Sequence, residues 1–222
     1  MPAYFPTITA ILLTLSLVAF SDNLLTNVGQ PSNKDPKFIV HGLFGLAWYV
    51  LLVIQANLIR VHNIRLHQTI GRATLLVTIG VTLSTLYLFI VKWKGWENME
   101  HLIRMNRLLL PGFAVCMILA WQQRKVPVFH KRLVLVGTLF MLEPVLSRAY
   151  DVLVANWARI VMPNLYTEQV DAIGYEVFLW GSWLGFFVSL LVYDKKTLGK
   201  AHVVTACGLM WLMLVTVVCG IG

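Results

Sequence analysis

The residues FIVHGLFGLAWYVLLVIQANLIRVHNIRLHQTIGRATL, Phe38 to Leu75, decide the fold. The stretch opens with a long, mostly apolar run carrying His41 near one end. It then passes a basic turn holding Arg60, His62, Arg65 and His67, and enters a second apolar run. A helix of about 20 residues, rising ~1.5 Å each, crosses the roughly 30 Å hydrocarbon core of a bilayer. The stretch therefore reads as a hairpin of two membrane-crossing helices, with His41 and His67 near opposite faces.

The whole chain agrees with that reading. It is 58% hydrophobic and 13% charged, with a mean hydropathy of +0.73, too much apolar surface for so few charges to cover in water. The pattern predicts one integral membrane domain over 1–222, an all-α polytopic transmembrane helix bundle. About seven spans are expected, at 5–20, 38–58, 70–91, 102–121, 130–147, 172–192 and 202–221. The opening MPAYFPTITAILLTLSLVAFSDN lacks a basic n-region and a small-residue cleavage site, so it reads as a retained first span. Glu143-Pro144 in the fifth span should kink or end that helix, because proline lacks the backbone donor. The charged, half-apolar segment after it, RAYDVLVANWARIVMPNLYTEQVD, reads as an interfacial helix or a partly buried cap.

Charge sets the orientation. The net charge is +8, but the basic residues sit in short turns between apolar runs, which argues for topology signals and not nucleic acid. Arg60, Arg65 and Arg72 flank the second turn, Arg124, Lys125, Lys131 and Arg132 the fourth, and Lys195, Lys196 and Lys200 the sixth. By the positive-inside rule these turns are cytoplasmic, and the N-terminus with them. Trp93 and Trp96 suit the headgroup zone of an outer turn. Cys116, Cys207 and Cys219 lie in apolar runs and read as small buried hydrophobes.

The six histidines sort by face under this topology. His62, His67, His130 and His202 fall inside, the last three each opening a span after a basic turn, and His41 and His101 fall outside. If the second to fifth spans form a bundle, His41 can meet His101 near the outer surface and His67 can meet His130 near the inner one. Two imidazoles from facing helices can hold a haem iron between them. The plain alternative is that such histidines anchor helix ends at the interface.

Histidines on four successive helices, paired in this way, resemble the two-haem transmembrane cytochrome b family, which passes electrons across membranes. The resemblance implies b-type haem with His41, His101, His67 and His130 as iron ligands, Arg104 and Arg107 offsetting propionate charge, and a quinone or another electron donor as partner. The strings LHQTIGRATL, FHKRLVLVGTLFMLEPVLSR and YDKKTLGKAH are also similar to segments of a group of uncharacterised bacterial multi-span membrane proteins, in which His-Lys-Arg-Leu opens a helix that ends in arginine. That resemblance implies a bacterial inner (cytoplasmic) membrane and carries no activity.

Ionisable groups within a bilayer are functional candidates by default. Arg104, Arg107, Glu143, Arg148, Asp151 and Glu176 all fall in the outer half of the predicted bundle. An outer polar pocket of His41, Arg104, Arg107, Glu143 and Arg148, with Asp151 beside Arg148, could bind propionates or an anionic substrate, or relay protons. It could equally be a salt-bridged network that pins helices. Two other functions therefore stand beside electron transfer: a haem-free transporter or small-ligand binding protein, and an accessory subunit of a respiratory or other membrane complex. Gly181 and Gly185 form a G-x-x-x-G that permits close helix approach to a partner. Nucleotide-binding loops, H-E-x-x-H and G-x-S-x-G are absent from the sequence, so no ATPase or recognisable hydrolase is encoded.

Overall fold

The computed structural model describes residues 3–220; Ile221, the expected end of the seventh span, lies outside them. Every regular element among the described residues is helical. The chain forms two compact units, Met1–Val91 with Arg148–Val161, and Lys92–Ser147 with Met162–Gly222.

The first unit contains α1 (Tyr4–Ala19), α2 (Pro36–Arg60) and α3 (Ile64–Val91). α2 begins where Asp35 accepts a hydrogen bond from the Lys37 amide and Pro36 occupies the first turn, a position that needs no backbone donor. It ends in a Schellman turn. His62 adopts φ 58°, its amide donates to Ile59 O, and the Asn63 amide donates to Leu58 O. Asn63 then caps α3 by accepting from the Leu66 amide at 3.2 Å. The basic turn of the hairpin is thus closed by local hydrogen bonds, and His67 sits inside the first turn of α3, which starts six residues before the expected 70. Gly80 lets the pair approach closely, since a Cβ there would meet the Phe44 ring at 2.3 Å.

The second unit contains α4 (His101–Gln122), α5 (Pro127–Phe140), α8 (Glu168–Leu198) and α9 (Val203–Gly220). The expected fifth span is broken: α5 stops at Phe140 and α6 (Glu143–Tyr150) begins after two non-helical residues. Pro144 explains the break, because it has no amide for the Phe140 carbonyl four residues back and its ring crowds that carbonyl. Beyond α6 the backbone widens over Asp151–Ala155 and continues as α7 (Asn156–Val161). The segment expected to lie in the interface is therefore helical throughout its first half and again from Glu168. α8 is capped at both ends, by Thr167 accepting from the Val170 amide and by Gly199 in the left-handed region at φ 74°. Its first turn holds Glu168 and Asp171 and its last Lys195 and Lys196, which matches charge to the helix dipole.

Among the described residues five helices, α2, α3, α4, α8 and α9, are long and apolar enough to cross a membrane. The halves Pro127–Phe140 and Glu143–Val161 make a sixth if they are one broken span. Within the five crossing windows only 17% to 33% of residues are buried inside the protein, so most apolar side chains point out of it. Leu76 and Met210 are each 69% exposed, Val177 67% and Ile90 66%. Apolar surface of that extent calls for lipid as solvent. α1 is apolar too, but its 16 residues reach only ~24 Å at ~1.5 Å each.

Candidate functional site

The second unit has polar side chains clustered at both ends of its helices, and the two clusters differ. At the end where α5 and α9 begin and α8 finishes, Arg132 and Asp194 form a buried ion pair, their side chains 1% and 0% exposed. The Arg132 Nε and Nη2 donate to Asp194 Oδ1 at 2.7 and 2.6 Å. Its Nη1 donates to the Val128 carbonyl at 2.8 Å. The other carboxylate oxygen accepts from Thr205 Oγ1 at 2.6 Å and from the His202 amide at 3.1 Å. Each guanidinium nitrogen has an acceptor and each carboxylate oxygen two donors. That saturation is what makes a buried pair tolerable.

Around the pair, Lys131 Nζ donates to the Tyr193 hydroxyl at 2.9 Å, and the Arg132 guanidinium lies 5.5 Å from the Tyr193 ring centre. The His202 ring stands edge-on to Phe129, centroids 4.6 Å apart, and its Nδ1 accepts from the Val204 amide. Burial, aided by the Arg132 charge and opposed by Asp194, pushes the His202 pKa below the usual histidine range. His130 donates from Nδ1 to the Ala120 carbonyl at 2.9 Å.

At the opposite end, where α4 and α6 begin, Glu143 is buried, the residue 7% exposed. It accepts from Asn106 Nδ2 at 2.6 Å and from the Tyr175 hydroxyl at 3.4 Å. The salt-bridged alternative does not draw Glu143 to an arginine among the described residues; Asn106, on the same turn as Arg104 and Arg107, is its partner. The Trp183 indole donates to the Leu139 carbonyl at 2.7 Å, close to the α5–α6 break. Arg107 is held by Met99 Sδ and the Trp93 ring, 4.8 Å from its centroid. Arg104 is different: its Nε and Nη1 are buried and have no hydrogen-bond partner. His101 donates from Nε2 to the Thr216 carbonyl at 3.3 Å.

The remaining expected site residues belong to the first unit. The His41 Nδ1 lies 3.2 Å from Ser84 Oγ, whose proton goes to the Val81 carbonyl; the serine therefore accepts, and His41 Nε2 keeps its lone pair. Gln55, with its amide nitrogen turned to His67, donates to the His67 Nδ1 and backbone carbonyl. Arg148 binds the loop after α1, through Asn23 Oδ1 at 3.2 Å, Asp22 Oδ2 at 4.0 Å and the Phe20 ring, 4.9 Å from its centroid. Asp151 is exposed. Of the expected outer pocket, Arg104, Arg107 and Glu143 thus fall in the second unit and His41, Arg148 and Asp151 in the first.

Sequence reasoning missed the Arg132–Asp194 pair, counting Arg132 only as a topology charge. A signal was present. Asp194 is the lone acid in YDKKTLGK, at the end of an apolar run, and HKRL and YDKKTLGKAH are the strings that meet in this network. Among the described residues no group of three or more His, Cys, Asp or Glu side chains is placed to hold a metal ion.

The fold and its exposed apolar helices define the class: an all-α, multi-pass membrane protein. Comparison adds no narrower identity, since no family model, no curated protein and no solved structure matches the chain.

Proposed function

We propose that this protein binds a small anionic ligand at the end of the second unit where α4 begins, with Arg104 as the cation that receives it. The observation that carries the reading is the pair of buried, unpartnered Arg104 nitrogens. An orphaned buried donor costs about 1–3 kcal/mol, more when the group is charged. The guanidinium fork suits the paired oxygens of a carboxylate or phosphate, which would satisfy it. Glu143 is already engaged by Asn106 and Tyr175 and does not compete for Arg104. Arg107, one turn along, adds positive potential. We further propose that α1 crosses as a seventh span, with the cytoplasmic N-terminus that the basic turns support, in the bacterial inner membrane that the resemblance of the His-Lys-Arg-Leu strings implies.

The test is thermal unfolding of detergent-purified protein with phosphate or succinate. Either anion should raise the midpoint of the wild type and leave that of Arg104→Gln unmoved. Equal shifts in both proteins, or none in the wild type with either anion, would reject Arg104 as the receptor.

A second reading is a b-type haem protein of transmembrane electron transfer, with His41, His101, His67 and His130 as iron ligands. It is favoured by the tautomer of His41, whose Nδ1 is occupied by hydrogen bonding and whose Nε2 keeps the lone pair, the arrangement common in metal-bound histidines. His101 fits less well, because ligation through Nε2 would give up its bond to Thr216. Arg104 and Arg107 would then meet propionates, and the haem would supply one-electron chemistry. A reduced-minus-oxidised absorption spectrum of the purified protein decides it: a sharp b-type band that disappears in His41→Ala supports the reading, and a featureless spectrum rejects it.

A further inference from the structure

The first unit carries a groove of about 640 Å³ along α1, with a lining that is mostly apolar. It runs past Pro6, Ala10, Thr14 and Val18 and takes in Asn57 and Arg60 from the last turn of α2. Ala3, just before α1, and Val18 near its end are fifteen residues apart in sequence, or ~22 Å along a helix axis at ~1.5 Å per residue. One leaflet of acyl chains occupies half of the bilayer core, roughly 15 Å. The groove is therefore long enough for a whole acyl chain and the polar region above it. The Asn57 amide is committed to the Val53 carbonyl, whereas the Arg60 side chain is exposed, at the helix end where the chain turns into the basic hairpin loop. An apolar trough beside an unscreened guanidinium at the membrane boundary matches one kind of molecule in charge and in length.

We propose that this groove seats one anionic phospholipid, an acyl chain lying along α1 and the phosphate on Arg60. A zwitterionic lipid offers the same chain, but its ammonium opposes the arginine; an anionic headgroup gains about 1 kcal/mol from a basic side chain at the surface, roughly fivefold in occupancy. α1 is too short to cross the bilayer alone with ease, and a lipid held against it would extend its apolar contact. The site lies wholly in the first unit and stands independently of the Arg104 reading.

The experiment is native mass spectrometry of the full chain, released from nanodiscs containing equal phosphatidylglycerol and phosphatidylcholine. The wild type should keep one phosphatidylglycerol about fivefold more often than one phosphatidylcholine. Arg60→Gln should retain the two equally, Arg65→Gln should behave as wild type, and Ala10→Trp, which fills the trough, should lose the adduct while keeping its helical circular dichroism. An unchanged preference in Arg60→Gln, or an unchanged adduct in folded Ala10→Trp, would overturn the proposal.

Discussion

The two polar ends of the second unit use the same kinds of side chain to opposite effect. Around Arg132 and Asp194 every charged atom has a partner, and the partners come from three helices. Around Arg104 two guanidinium nitrogens, Nε and Nη1, are buried without a partner, and the carboxylate of Glu143 is taken by neutral groups. A closed network fixes helices and has no valence left for a ligand. An open one leaves a charge for something else to neutralise.

The largest expected effect breaks the closed end. Asp194→Ala leaves Arg132 charged, buried and unpaired, and should cost about 3–5 kcal/mol, seen as a collapse of the thermal midpoint or loss of folded protein. The double replacement Asp194→Leu with Arg132→Met removes both charges and should recover much of that loss. A double variant as unstable as the single one would contradict the assignment of a saturated pair.

At the open end the effect should appear in binding more than in stability. Arg104→Gln should weaken phosphate or succinate binding by about tenfold or more, the ~1.4 kcal/mol expected from a charge-assisted bond. Its thermal midpoint without ligand should stay at or above that of the wild type, since a buried orphan is removed. A midpoint lowered as far as that of Asp194→Ala would place Arg104 in a structural network instead.

Between the two ends, Trp183→Phe deletes the donor to the Leu139 carbonyl while keeping most of the packing. About 1–3 kcal/mol should be lost, read as a lower midpoint with unchanged anion binding.

The smallest effect is on pH. The pKa of His202 is depressed in the folded protein and ordinary, about 6.5, in the unfolded chain. The unfolded state therefore takes up its proton first as pH falls, and stability present above ~6.5 is lost progressively below it. Unfolding followed from pH 8 to pH 5 should show that decline, and His202→Gln should flatten it. An unchanged slope would remove His202 from the linkage.

Helix positions were legible in the sequence because a bilayer demands long apolar runs, and the expected limits of the second, fourth and seventh spans fall within two residues of the helices. Pro144 broke the fifth span as its chemistry requires. Less visible was the partner of each charge. Arg132 and Asp194 are 62 residues apart, and nothing local distinguishes Arg132 from the neighbouring Lys131. Glu143 offered two plausible arginine partners by position, yet Asn106 lies on the face that meets it. Periodicity gives faces; the choice among side chains on adjacent faces depends on helix rotation. The expected first span is a helix at Tyr4–Ala19, and its 16-residue length is the point at which apolar composition and crossing distance part.

The measurement that tests the contrast most directly is a calorimetric titration of wild type, Arg104→Gln and Thr205→Val with succinate and with phosphate. The account predicts saturable heat for at least one anion in the wild type, the same affinity in Thr205→Val, and binding weaker by about tenfold or more in Arg104→Gln. Equal binding in Arg104→Gln, or loss of binding only in Thr205→Val, would contradict the claim that the α4 end is the open one.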